Sequence, residues 1–291
     1  MLLFVPLVGF SQYWQQQGQD IDGEGAGDES GTSVSMNTSG DRLAIGAKYN
    51  DGNGPDAGHV RIYNWNGNTW TQQGQDINGE AAYDESAFSL SMNAAGDRVA
   101  IGANGNDGNG ASSGHVRIYE WSGSSWTQQG QDIDGQAAVD GSGHSVYMNA
   151  AGDRVAVGAP HNDGNGPDAG HVRIYAWNGT LWTQLGQDID GEGSGDYSGE
   201  SVSMNAVGDR VAIGAPRNDG NGFRSGHVRI YNWNGNSWVK LGQDIDGELG
   251  MDRSGYSVSM NAAGDKVAVD SRFNDGNGPD AGHVRIYNWN G

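Results

Sequence analysis

"NDGNGPDAGHVRIYNW", residues 50–65, returns with one change at 162–177 and unchanged at 274–289. The stretch is one part of a longer period. Trp14, Trp70, Trp126, Trp182 and Trp238 follow one another at 56-residue steps. His59, His115, His171, His227 and His283 keep the same step, as do Trp65, Trp121, Trp177, Trp233 and Trp289, so all ten tryptophans are accounted for. Self-similarity at a fixed spacing of this size is the mark of a repeat architecture and outranks any single motif.

Each unit reads as four short strands. "SVSMN" alternates Val and Met with Ser, and "RVAIGA" alternates Val and Ile with small residues. "HVRIYNW" places Val and Ile on one face and His, Arg, Tyr and Trp on the other. "WTQQGQDI" follows "NWNGNTW", whose Asn-Gly is a strong hairpin signal. No segment carries the 3.6-residue apolar spacing of a helix. The predicted fold is all-β: a β-propeller of four-stranded antiparallel blades made from five repeats. Small residues on the second strand, such as Ala44 and Gly46, are expected to let neighbouring sheets approach, with the aromatic third and fourth strands filling the wider gap outside. A stacked β-solenoid is the main alternative, but its coils are shorter and lack the Asn-Gly hairpin.

Composition narrows the function. The chain of 291 residues has no Cys, which excludes disulfides, thiolate metal sites and a cysteine nucleophile. Its formal charge of −20 disfavours nucleic acid and anionic membrane as partners. "MLLFVPLVGFSQ", residues 1–12, suits the apolar core of a signal peptide whose basic start is missing, and it is too short to span a bilayer. Residues 13–291 then form a single propeller domain.

The unit "SGESVSMNAVGDRVAIGAPRNDGNGFRSGHVRIYNW" (198–233) resembles the FG-GAP repeats of integrin α-subunit propellers and their bacterial relatives. The matching pieces are the Ser-Gly before the first strand, "GAP" at 158–160 and 214–216, and "GHVRIY". The resemblance implies a secreted or cell-surface protein of a bacterium, a monomer or part of a larger surface protein, with the "SVSMN" strand innermost. It also implies that a chain opening with an outer strand (14–21) and ending after a third strand (283–289) closes its ring by adding the first to the last blade. A fragment of a seven-bladed propeller is the alternative. The family's calcium loop joins strands one and two, where this chain has only the turn "NAAGD". Its ligands therefore do not transfer.

Antiparallel strands send loops 2–3 and 4–1 to one face, which gathers Asp22, Glu24, Asp28, Glu29, Asp51 and Asp56 of the first unit there. The candidate metal residues are Asp51, Asn53 and Asp56; Asp163, Asn165 and Asp168; and Asp275, Asn277 and Asp280. Ca²⁺ is the one candidate cofactor, since these are hard oxygen donors, though three fall short of the six to eight it takes. The third position varies, with Ser112 and Arg224 in the other two copies, and the Arg224 loop is expected not to bind. The competing reading is a turn whose Asp and Asn side chains cap their own backbone. Asp28 and its equivalents at 84, 140, 196 and 252 read as structural acceptors or as ligands from a second loop.

The recurring His reads as packing, and His144 and His161 occur only in the third unit. "WNGNTW" lacks the Asp of a sialidase-type box. No nucleophile–base pair, phosphate loop or zinc motif appears, so catalysis is not expected. The expected function is a binding or adhesion module presenting its acidic loop face to a glycan or extracellular protein. A propeller-scaffold polysaccharide hydrolase or lyase, and a structural repeat domain of a larger adhesin, are the alternatives.

Overall fold

A computed structural model describes residues 14–291 of the chain. The expected signal peptide, residues 1–12, lies outside the described residues. Every regular element described is a strand, and no described helix is long and apolar enough to cross a membrane.

The first unit comprises β1 (Ser33–Met36), β2 (Arg42–Ala47), β3 (His59–Trp65), β4 (Trp70–Gln72) and β5 (Ile77–Asn78). β1 to β4 pair in sequence order, all antiparallel, and β5 returns to pair with β3. The expected outer strand is thus one strand in two pieces. The break falls at Gly74, where φ is +80° and an added Cβ would lie 2.7 Å from the Trp121 ring. Only glycine fits that approach. Three further units repeat this sheet, and the fifth keeps three strands, Ser254–Met260, Lys266–Ser271 and His283–Asn288.

The sheets stack face to face, and each core lies between neighbours. Val60, Ile62 and Ile77 of the first sheet bury against Leu90, Met92, Val99, Ile101 and Trp126 of the second, and the pattern recurs along the array. Near the axis the second strand is small, as expected. A Cβ on Gly102 would meet the Gly143 carbonyl oxygen at 2.1 Å, and one on Gly158 the Gly199 carbonyl oxygen at 2.2 Å. Gly102→Ala is expected to force these backbones apart and destabilise the array by roughly 1–3 kcal/mol, the range for overpacking. An unchanged urea midpoint would refute the close-approach explanation.

At the periphery each unit locks onto its predecessor through tryptophan. The Trp126 indole N–H donates to the Gln73 carbonyl at 2.9 Å. The Gln75 amide clamps the Trp126 backbone, accepting from its N–H at 3.2 Å and donating to its C=O at 2.7 Å. Trp182 with Gln131 and Trp238 with Gln187 repeat the arrangement.

Ring closure is corrected by the structure. Residues 14–22 do not pair with the last sheet, whose order ends at His283–Asn288. They occupy the position of a preceding unit's outer strand against the first sheet: Gln17 accepts the Trp70 indole N–H, Gln19 clamps the Trp70 backbone, and the Asp22 carbonyl accepts from Arg61. An outer strand has two contact sets, an edge toward its own sheet and a clamp toward the next one. Here only the clamp is formed. Trp14 is consequently fully exposed, and a cavity of about 390 Å³ lined by Ile230, Leu241, Met260, Tyr287 and Trp289 lies where the inner units seat a tryptophan.

Candidate functional site: the loop face

The two loop sets meet on one face, as alternation of strand direction requires. Each 4–1 loop is gripped between consecutive 2–3 loops. Asp28 accepts from the Asn50 amide at 2.8 Å and from the Gly25 N–H at 3.0 Å. On the other side Tyr83, Glu85 and Ser86 donate backbone N–H groups to Pro55, Asp56 and Ala57. Asp140 with Asn162, Asp196 with Asn218 and Asp252 with Asn274 repeat the buried strut. The recurring Asp at the blade entrance is therefore a structural acceptor, held between an asparagine and the N–H groups of its own loop. The opposite face is a chain of 1–2 turns, with Thr38 donating to Ala94, Ala94 to Ala150, Ala150 to Ala206 and Ala206 to Ala262.

In the NDGNG loops, Asp51 Oδ1 accepts the Asp56 N–H at 2.9 Å, and Asp163 and Asp275 do the same for Asp168 and Asp280. Asn53 and Asn165 donate their amide N–H groups to the carbonyls of Gly79 and Glu80, and of Gly191 and Glu192. The side chains thus hold the turn, with one oxygen of Asp51 and the Asn53 Oδ1 to spare. Asp56, Asp168 and Asp280 all sit at φ near +50°, a conformation that Asp tolerates better than most residues. Arg224 adopts the same φ in the fourth unit, its N–H bonded to Asp219. The backbone of the loop is therefore independent of the carboxylate at its third position. Asp168 differs from its counterparts, because its carboxylate is bonded to His161 Nδ1 at 2.9 Å and to the Tyr197 hydroxyl at 3.3 Å.

Beneath the loops lies a layer of titratable groups, buried at its histidines and exposed at its glutamates, whose histidines the sequence reading treated as packing. His59, Glu24 and Asp76 place their ligand-type atoms within 4.8 Å of one another, as do His115, Glu80 and Asp132, and His227, Glu192 and Asp244. An arginine enters three of these groups: Arg61 meets Glu24 at 3.3 Å, Arg117 meets Glu80 at 3.3 Å and Arg229 meets Glu192 at 3.5 Å. In the third unit Gln136 replaces the glutamate, and Arg173 forks onto Asp188 at 2.9 and 2.7 Å instead. Its guanidinium holds the Asp188 carboxyl below the usual range. The guanidinium offsets one carboxylate in each group, and these ion pairs join neighbouring units. Burial, with help from the adjacent arginine, depresses His115, His171 and His227 to about 4. They are neutral at pH 7. Their partners escaped sequence inspection because Glu24, Glu80 and Glu192 come from the preceding loop.

Residues peculiar to single units also converge. The His161 and Tyr197 rings meet edge-on with centroids 5.0 Å apart, and Arg217 lies 3.8 Å above Tyr197. His144 Nε2 is 3.6 Å from the Glu200 carboxylate. Burial pushes that carboxyl up, and the His144 contact overcomes it, leaving Glu200 below the ordinary range. His144 and His161 stood out in the sequence as unique to the third unit, whereas their partners Tyr197, Glu200 and Arg217 come from the next one.

No protein-family model matches the chain, and no curated protein matches it. Solved structures do. A candidate 6-phosphogluconolactonase from Bacteroides uniformis is similar at 9% identity with a TM-score of 0.58, covering 89% of this chain and 67% of its own. The hydrazine synthase of Kuenenia stuttgartiensis is similar at 10% identity with a TM-score of 0.56, covering 94% of this chain. The chain spans 65% of that protein's length. At such identity the likeness bears on the fold alone, a propeller-like array of repeated four-stranded sheets.

Proposed function

We propose that this chain is a secreted or cell-surface binding module that presents its loop face to a glycan or extracellular protein, with Ca²⁺ as an assisting ion. One observation carries the reading: the recurring exposed carboxylates and amides of the 2–3 loops stand on struts buried beneath them. Asp51, Asp107, Asp163, Asp219 and Asp275 are all exposed, each rooted in a turn whose neighbouring Asn is buried. A row of equal weak sites on a rigid support gains avidity for a repeating ligand. Catalysis, in contrast, calls for unlike groups converging on one reacting atom. The resemblance to FG-GAP propellers points the same way.

The donor set fits a hard cation in part. Each complete loop offers two carboxylates and one amide oxygen, so carbonyl or water oxygens must complete a calcium shell. Asp168 is engaged with His161 and Tyr197, and this favours the first and fifth units over the third.

The test is a panel of immobilised oligosaccharides probed with the full chain in Ca²⁺ and in EDTA. Retention without turnover supports the module. Release of new reducing ends would favour the hydrolase or lyase alternative. EDTA is expected to lower the melting temperature and millimolar Ca²⁺ to restore it, with a gain of about 2.7 kcal/mol at a hundredfold excess over Kd. Asp51→Asn with Asp275→Asn should reduce that gain. A melting temperature indifferent to Ca²⁺ would remove the ion from the proposal.

A further inference from the structure

The five copies agree at some loop positions and disagree at others. Where the first unit has Glu29, the later units have Glu85, Gly141, Tyr197 and Arg253. Tyr49 is followed by Gly105, His161, Arg217 and Phe273, and Lys48 by Asn104, Pro160, Pro216 and Arg272. Asp56 corresponds to Arg224 in the fourth unit. The immediate neighbours of these positions, Asp28, Ser30, Asn50 and Asp51, recur in every copy. Fixed positions standing among varied ones separate the groups that hold the loop from groups free to differ.

In the fourth and fifth units the divergent positions bring four arginines onto the loop face. The Arg253 N–H donates to the Arg224 carbonyl, and the Arg253 and Arg272 guanidiniums lie 4.9 and 4.6 Å from the same Phe273 ring. Arg272 also stacks on Tyr256 at 3.6 Å, and Arg217 on Tyr197 at 3.8 Å. Among the described residues none of the four forms an ion pair, although the chain has 36 carboxylates against 16 Lys and Arg. The third-strand arginines behave otherwise, since Arg61, Arg117, Arg173, Arg229 and Arg285 each take a carboxylate. Arg253 Nε is buried and has no acceptor among the described residues. Burial and then Arg217, Arg272 and Arg224 depress the Arg253 guanidinium, so the four sense one another.

Like charges gathered without direct ion pairs repel one another, and an anionic ligand would relieve this. A guanidinium lying flat on an aromatic ring keeps its edge N–H groups free for a planar oxyanion, which it binds in two-pronged fashion. Beside the arginines, Phe223 is 62% and Tyr256 39% exposed, two apolar rings that suit the C–H face of a sugar. The carboxylates around the patch would repel a dense polyanion, which selects for sparse charge.

We infer that Arg217, Arg224, Arg253 and Arg272, with Tyr256 and Phe223, form a binding site for a glycan bearing sparse anionic groups, carboxylate or sulfate. The inference rests on the binding-module reading and names the ligand class that it leaves open. Calcium plays no part in this site.

The test measures binding of the full chain by calorimetry to a tetra-galacturonate, a sulfated galactose tetramer and neutral cellotetraose, with a DNA duplex as dense polyanion. One or both charged tetramers should bind, and their ratio distinguishes carboxylate from sulfate. Arg253→Gln with Arg272→Gln should weaken that binding about tenfold or more, while Lys266→Gln, on the 1–2 turn face, should not change it. The double variant should stay folded with at most a small drop in melting temperature, because the replaced groups lose their ring stacking but have no ion pair to lose. Neutral and charged tetramers binding alike would overturn the anion site and leave the module reading standing. Tighter binding of DNA than of either charged tetramer would overturn the glycan class. Failure of all three sugars would overturn the anionic-glycan site and leave the module reading to the wider oligosaccharide panel.

Discussion

Trp126→Ala is expected to lower stability by about 3–5 kcal/mol, the usual cost of removing a large aromatic side chain from a packed interior. The indole is 3% exposed and packs against Val60, Ile62, Ile77, Leu90 and Ile101 from two sheets. Its loss opens a cavity and deprives the Gln73 carbonyl of its donor. Because each unit touches only its neighbours, the damage falls on the contact between the first two sheets, and the denaturation curve should broaden as the array loses cooperativity. Trp14→Ala is the matched control. That ring is fully exposed and should shift the urea midpoint by no more than about 0.5 kcal/mol equivalent. Equal effects of the two substitutions would contradict the interlock between units.

Acid is expected to weaken the protein well before its carboxylates titrate. His115, His171 and His227 protonate at about 4 in the folded chain, against an ordinary value of 6.5. Below 6.5 the unfolded chain takes up protons that the folded chain refuses, so stability falls with pH until the folded imidazoles also titrate near 4. At 1.36 kcal/mol per pH unit, each imidazole contributes up to about 3 kcal/mol across that window. Between pH 6.5 and 5 the imidazoles of the unfolded chain take up protons while those of the folded chain and ordinary carboxylates do not, so melting temperatures should be compared there. His115→Gln should flatten the slope by about one third of the effect of the three. A melting temperature constant from pH 7.5 to 5 would show that these imidazoles are not held neutral by burial.

How much of this was legible beforehand follows from where each signal resides. The period of 56, the strand order and the turn positions are local in sequence, and the sheets follow them, with β2 and β3 paired antiparallel. The small second strand was also readable, because Gly46 and Gly102 stand at fixed points in the repeat. The split of the outer strand at Gly74 was not, since its cause is a tryptophan of the next unit. Treating each histidine alone concealed the ion network, in which Glu24 reaches His59 and Arg61 from the preceding loop. The emphasis on near-identity between copies likewise drew attention away from Arg217, Arg253 and Arg272, which matter because they depart from it.

The sequence alone determined an all-β chain of repeated units with its acidic loops on one face, because alternation and turn chemistry act over a few residues. The tertiary structure decided which side chains meet across units, that residues 14–22 clamp the first sheet rather than complete the last, and that four loop-face arginines form no ion pair among the described residues. Those outcomes depend on contacts between segments some 25 to 60 residues apart, whose free energy depends on burial and distance. Neither is written in the spacing of a single chain.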